Sequence, residues 1–237
     1  MSDAAPHASS AATAASPAPL TAPGADAPPS AAAAPVWSIV AEGDLTLDDH
    51  EALAAMLART FDAYDHWYAG ARSWAGMQPE LRVVARDGDV VVAHAGLRRQ
   101  FVTVGETDLL VTAVGMVAVS PTAQGTGLGG ALLRHVDAAL ERLGSRFGLL
   151  ETGEAVQGFY RRAGWLPLGE ASGDAVTGHA VTGHAVTGHA VTGHYTAFSA
   201  DGAGVLVSQD EGWLIREVGA TAAEWPAGDI RWNGQMV

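Results

Sequence analysis

Residues 117–134 read Val-Ala-Val-Ser-Pro-Thr-Ala-Gln-Gly-Thr-Gly-Leu-Gly-Gly-Ala-Leu-Leu-Arg. The stretch opens as a β-branched apolar run, breaks at Ser120-Pro121 and turns through Gln124-Gly125-Thr126-Gly127. It then enters a helix, with Leu128, Ala131, Leu132, Val136, Ala139, Leu140 and Leu143 at helical spacing. A strand that runs through a glycine turn into a helix start leaves several backbone N–H groups unpaired at the positive end of the helix dipole, so the element is an anion site. Gly125, Gly127 and Gly129 carry no Cβ, so a phosphate can approach the main chain closely.

Working outward, Trp37-Ser-Ile-Val-Ala alternates like a strand, and Thr46 is placed to cap a helix reaching to about Tyr64, with Leu53, Met56, Leu57 and Phe61 on its apolar face. Residues 83–85 and 90–97 read as a hairpin across Asp87-Gly88-Asp89. Residues 101–104 and 107–119 form a further pair around Gly105-Glu106. After the glycine turn and its helix come a short strand at 147–151, a short helix at 158–162 closed by Ala163-Gly164-Trp165, and strands at 195–198, 204–208 and 212–217. Periodicity alone therefore gives an α/β or α+β domain over residues 36–237.

Residues 1–35 are almost wholly Ala, Pro, Ser and Asp without a periodic apolar face, the composition of a disordered tail. No basic leader precedes an unbroken apolar stretch, and no apolar run is long enough to cross a bilayer, so a cytoplasmic protein without membrane contact is expected. The absence of cysteine removes disulfides, thiolate metal sites and a cysteine nucleophile. The 13 basic residues are all arginine against 26 acidic ones, a formal net charge of −13 that argues against nucleic acid and favours neutral or cationic ligands. Residues 175–194 repeat Ala-Val-Thr-Gly-His, bringing His179, His184, His189 and His194 into register. A five-residue period fits neither helix nor strand, so the repeat reads as an expanded surface loop, and no metal is assigned to it.

The glycine spacing narrows the anion. A Walker loop needs Gly-Lys-Ser/Thr, and the chain has no lysine. The glycines of Gln-Gly-Thr-Gly-Leu-Gly-Gly are too close together for a dinucleotide fingerprint. Gln124, Gly127 and Gly129 instead match the Q/R-x-x-G-x-G/A pyrophosphate loop, and the chain resembles the GCN5-related N-acetyltransferases. That resemblance implies a mixed, twisted sheet with helices on both faces. It further implies acetyl-CoA or another acyl-CoA as donor, and a small-molecule amine as acceptor. Within the superfamily the sequence is similar to two groups. Arg72-Ser-Trp-Ala-Gly, Pro79-Glu80, Arg82, Ala93-His-Ala-Gly-Leu-Arg-Arg, Val104-Gly-Glu-Thr-Asp-Leu-Leu-Val and Glu224-Trp-Pro-Ala-Gly resemble the nodulation protein A family, N-acyltransferases of chito-oligosaccharides. Ala93-His94, Tyr160 and Gly164-Trp-Leu-Pro resemble aminoglycoside 2′-N-acetyltransferases. Both act on an amine at C2 of a glucosamine-like ring, which makes an amino sugar the expected acceptor. The nodulation resemblance leaves an acyl carrier protein open as donor, and a homodimer is compatible with either group.

The same resemblance assigns roles. Backbone amides around Met116, Val117 and Val119 would hold the thioester oxygen. Gln124, Gly125, Thr126, Gly127, Leu128, Gly129 and Gly130 would hold the diphosphate. Tyr160 matches the general acid that protonates the departing thiolate; packing is the competing reading. The strand glutamates of both groups are absent, replaced by Ala113 and Gly115, so the base is sought elsewhere, in His94 or in Glu151 acting through water. The missing base keeps a non-catalytic acyl-CoA-binding regulator as an alternative. Glu106, Asp108 and Asp229 are candidates for gripping the amino sugar, and Trp74, Trp225 and Trp232 for stacking on it.

Overall fold

The order of elements follows from local signals that the chain then folds into one branched sheet. The computed structural model describes residues 34–76, 78–169, 186–187, 190–198, 204–210 and 212–235, so the Ala/Pro-rich tail lies almost wholly outside the described residues. The strands are β1 (Val36–Ala41), β2 (Leu81–Asp87), β3 (Val90–Val104), β4 (Thr107–Val119), β5 (Phe147–Glu151), β6 (Leu166–Pro167), β7 (Gly193–Phe198), β8 (Gly204–Gln209), β9 (Trp213–Glu217) and β10 (Ile230–Gln235). The helices are α1 (Leu47–Thr60), α2 (Leu128–Leu143) and α3 (Glu154–Arg162).

The helix ends explain themselves. Thr46 and Asp49 form a reciprocal capping box that satisfies two of the orphan donors of α1. α2 is flanked by Gly127 and Gly144, both in the left-handed region at φ 86° and 70°, where a side chain would be strained. Two expected boundaries shift. α1 stops at Thr60, and the chain from Asp62 to Tyr68 tightens into 3-10 turns rather than continuing to Tyr64. α3 starts at Glu154, a turn earlier than expected, because Glu154 supplies an acidic first turn that the apolar pattern does not mark.

The sheet runs β6-β9-β5-β4-β3-β10-β7-β8, with β1 and β2 branching from β3. The segments 90–97 and 101–104, expected as two strands, are one: β3 is long enough to pair β2 with its first half and β10 with Val102 to Val104, while β4 runs along its other edge. Among the described residues only β4–β5 and β10–β7 are parallel. β10 was not expected: its alternation is confined to Ile230, Arg231, Trp232 and Asn233 before Gly234, too short a pattern to separate a strand from a tail. Alternation along β2 separates two cores. Val83 and Ala85 face α2 and α3 with Leu132, Leu133, Val136 and Tyr160, whereas Val84 faces α1 with Leu53, Met56 and Leu57. The sheet thus carries helices on both faces.

The repeat is corrected in part. Its last unit is core and strand rather than surface loop: Val191 is buried, Gly193 packs against the Trp213 indole, and His194 lies in β7 with its Nδ1 2.9 Å from Ser208 Oγ. His179, His184 and His189 lie outside the described residues. Trp225 and Trp232 are buried in the third core beside Phe147 and Ile230, which removes them as sugar platforms.

Candidate active site

The central strand is interrupted where the site forms. Pairing of β3 with β4 passes from His94↔Ala118 to Gly96↔Gly115, so Met116 and Val117 together oppose Ala95. Met116 is the one non-glycine residue with positive φ (50°) among the described residues, a conformation costing about 1–2 kcal/mol. On the other edge, β4 and β5 pair only at Thr112↔Gly148 and Ala113↔Leu149. Beyond Ala113 the two parallel strands separate, and the gap between them opens toward the glycine turn that follows β4.

That turn carries the donors expected of it. Gly125 and Gly127 have φ of 79° and 86°, and the first main-chain bond into α2 is from Ala131 N to Gly127 O at 3.3 Å. Among the described residues no acceptor meets the amides from Gly125 to Gly130. The side chains of the turn serve it internally: Gln124 Nε2 donates to Val119 O at 3.1 Å and Thr126 Oγ1 to Ala123 O at 2.7 Å. Gly129 lies so close to Phe159 that an added Cβ would sit 3.1 Å from the ring, which locks α2 onto α3. Val117, Val119 and Leu128 pack partly buried on the α2 side of the sheet.

An open cleft of about 420 Å³ continues from the turn between α2 and α3, lined by Gly127, Gly130, Leu133, Arg134, Phe159 and Arg162. Asp137, also on its wall, is held by Arg216 at 2.9 and 3.1 Å, whereas Arg134 and Arg162 have no carboxylate partner among the described residues. In a chain of net charge −13 this is a locally positive wall. Neither arginine stands out in sequence, because surface arginines on helices are common.

Of the catalytic candidates, Tyr160 is buried on α3, edge-on to Phe159 and Trp165, and burial pushes its phenol up to about 12. It therefore keeps its proton at any working pH. Glu151 ends β5 at the open gap, half-buried and with no hydrogen bond or ion pair among the described residues; burial raises its carboxyl above the ordinary value. Burial also raises the phenol of Tyr195, with Glu151 and then Tyr64 adding to the effect, so Tyr195 sits within electrostatic reach of the Glu151 carboxylate. Tyr195 follows directly on the repeat, whose monotony hid it.

His94 is placed differently. It is fully buried, its Nδ1 2.9 Å from Met116 O and its Nε2 3.0 Å from Arg82 Nη1. A carbonyl only accepts and a guanidinium only donates, so Nδ1 carries the hydrogen and Nε2 offers its lone pair to Arg82. Burial first, and Arg82 second, hold its pKa down to about 3. With that lone pair engaged and no solvent access, the imidazole is not available to take a proton from a substrate amine.

The expected acceptor groups are scattered. Asp108 accepts from Thr103 Oγ1 at 2.8 Å, and with Glu106 it lies at the start of β4, roughly 25 Å along the strand from Met116 at about 3.3 Å per residue. Asp229 accepts from Thr192 N at 3.0 Å while its carbonyl receives Gly105 N, so it ties the tail to the end of the repeat. Trp74 packs on His50 and over Arg82. Among the described residues no group of His, Cys, Asp and Glu is arranged to hold a metal, and no helix is long and apolar enough to cross a membrane.

Comparison with known proteins agrees with this geometry. A family described as nodulation protein A (NodA) matches residues 33–237. Nodulation protein A of Sinorhizobium terangae is 39% identical over 132 residues, which are 54% of this chain and 67% of that protein. Its counterpart in Rhizobium etli is 44% identical over 115 residues, 47% of this chain and 58% of that one. The chain thus spans between about half and two thirds of the length of these relatives. A GNAT family N-acetyltransferase (YhbS) from Escherichia coli, solved in complex with CoA, superposes with a TM-score of 0.54 at 16% identity, covering 86% of this chain and 92% of that one. At that identity the likeness shows the fold, which is the GNAT acyltransferase fold.

Proposed function

The chain belongs to the nodulation protein A family, and on that premise we propose that it transfers an acyl group from a CoA thioester to the 2-amino group of a glucosamine-type sugar. The carrying observation is the run of uncommitted amides from Gly125 to Gly130 at the head of α2, directly beside the separated strands β4 and β5. Those amides suit a diphosphate. Arg134 and Arg162 suit the further phosphate on the nucleotide end of CoA, a group that a carrier-protein thioester lacks.

In the mechanism this supports, the pantetheine arm lies in the gap and presents its thioester carbonyl to a main-chain amide beside Met116. A neutral amine attacks that carbon, and the oxygen gains charge that the amide stabilises. Glu151 takes the proton lost by nitrogen, directly or through one water; its raised pKa brings it nearer working pH. As the C–S bond breaks, Tyr160 gives its proton to the sulfur, so products are an amide and free thiol. Alignment of two bound reactants supplies most of the rate, and each proton transfer about 10²–10⁴-fold.

The test crosses donors with acceptors. CoA thioesters of short and long acyl chains, and the same acyl groups on an acyl carrier protein, are offered to glucosamine oligomers and to kanamycin-type amines. Thiol release with CoA thioesters and glucosamine oligomers is the expected result. Turnover only with aminoglycosides would move the acceptor to the alternative that the acidic charge also favours. CoA binding in a calorimeter without turnover on any amine would leave a binding protein.

A further inference from the structure

The site contains a buried ionic chain that the mechanism above does not use. Arg82 is the largest charged side chain to be fully buried, and it sits in the otherwise apolar start of β2. Its Nε and Nη2 donate to the two oxygens of Glu42 at 2.5 and 3.0 Å, and Nη2 also to Ser73 Oγ at 3.0 Å. Nη1 donates to Ser73 O and to His94 Nε2, both at 3.0 Å. Every N–H of the guanidinium is thereby matched, the condition under which a buried charge is tolerable. Ser73 is held in turn by His50, whose Nδ1 is 2.8 Å from the hydroxyl. Glu42, Ser73, Arg82 and His94 are all buried and His50 is half-buried, so the links from Glu42 to His94 are directional bonds made away from bulk solvent.

Its far end is informative. The last hydrogen bond leaves His94 Nδ1–H and ends on the carbonyl of Met116, the residue held in the left-handed region within the bulge of β4. A buried ion pair needed only for packing has no reason to terminate on the strained peptide of a central strand. A hydrogen bond to that carbonyl offsets part of the strain of the left-handed conformation, so it bears directly on how the peptide lies. In a trans peptide the C=O of one residue and the N–H of the next point opposite ways. Fixing Met116 C=O on His94 therefore fixes Val117 N–H away from His94.

We infer that Glu42, Arg82 and His94 form a positioning chain that aims the Met116–Val117 peptide, and with it the amide that receives the thioester oxygen. His94 is on this account a positioning residue and not the base. The inference rests on the transfer reaction proposed above, and its test separates the two.

The full chain is prepared as wild type, His94→Leu, His94→Asn and His94→Gln. Asn places an N–H where Nδ1 lies, Leu supplies none, and Gln carries its amide one bond too far. Removing an oxyanion donor in other acyl-transfer enzymes costs on the order of 10²–10³ in rate, so a misaimed one should lower kcat by at least about tenfold. The expected result is such a loss in His94→Leu and His94→Gln, a KM for the CoA thioester unchanged within about twofold because the grip at Gly125 to Gly130 is untouched, and kcat largely restored in His94→Asn. The Val117 amide resonance in ¹⁵N spectra should move in Leu and Gln variants and stay near the wild-type position in Asn. A wild-type rate in His94→Gln, a parallel rise in KM, or an Asn variant no better than Gln would overturn the proposal. If wild type itself fails to turn over any amine, the transferase reading falls, and the Val117 resonance still decides the positioning: one common position in all folded variants refutes it.

Discussion

Lowering the pH from 7 to 4.5 should weaken the native state by roughly 2–3 kcal/mol through His94 alone. In the unfolded chain this imidazole has its ordinary pKa of 6.5, while burial and then Arg82 hold the folded value at about 3. Between those values the unfolded state binds a proton that the native state refuses, so stability falls as pH falls below 6.5 and the loss is complete near pH 3. Each pH unit within the window is worth about 1.36 kcal/mol, giving two units' worth at pH 4.5 and an upper bound of about 5 kcal/mol at pH 3. Other groups titrate in the same range. Asp49, for example, has its pKa lowered by the Thr46 hydroxyl, the Thr46 amide and Arg86, and its contribution is lost in acid. The measurement is therefore a difference: urea unfolding of wild type and His94→Asn at pH 7, 6, 5 and 4.5, with m-values checked for equality. The wild-type curve should fall more steeply, with the gap between the two narrowing by roughly 2–3 kcal/mol. Parallel curves across that range would refute the burial and the neutral tautomer together, and with them the claim that His94 cannot act as a base.

Other perturbations read other parts of the structure. Gly193→Ala would place a Cβ 1.9 Å from the Trp213 ring, so it should cost about 1–3 kcal/mol or more and lower Tm, whereas Gly153→Ala, with nothing within 4 Å, should shift Tm little. Thr46→Ala removes the capping box of α1 and should cost about 1 kcal/mol in urea unfolding. Glu151→Gln should lower kcat by about 10²–10⁴-fold with CoA affinity intact, and the acid limb of the wild-type rate profile should lie above the ordinary carboxylate range, since burial raises that pKa. Tyr160→Phe should lower kcat without weakening CoA binding by calorimetry, and a phenol pushed up to about 12 gives wild type no alkaline limb from this residue below about pH 11.

Much of this molecule was legible in its residues because the signals are short-range. The cap at Thr46, the turn at Asp87-Gly88-Asp89 and the passage from β4 through Gly125 and Gly127 into α2 are each decided within a few residues, by local hydrogen bonds and by backbone angles only glycine adopts freely. The anion site belongs to this class, since unpaired amides at a helix start are a property of the strand–turn–helix itself. The long run of β3 was misdivided because Gly96 and polar residues from Arg98 to Gln100 look like a break, although β4 pairs straight across it while β2 leaves the other edge at Leu97.

What sequence determined, then, is the fold class, the glycine turn that leads from β4 into α2, and Tyr160 on its helix. Only the tertiary structure decided which candidates meet. It sent Glu106, Asp108 and Asp229 to the far end of β4, sealed His94 behind Arg82, and left Glu151 without a hydrogen-bond partner among the described residues where β4 and β5 part. It also brought β10 onto β3 and the last repeat unit onto Trp213, pairings between segments far apart in the chain. The physical reason is that a side chain's protonation and role depend on which groups surround it and on whether water reaches it. Those surroundings are set by register and packing between distant segments, which no local pattern encodes.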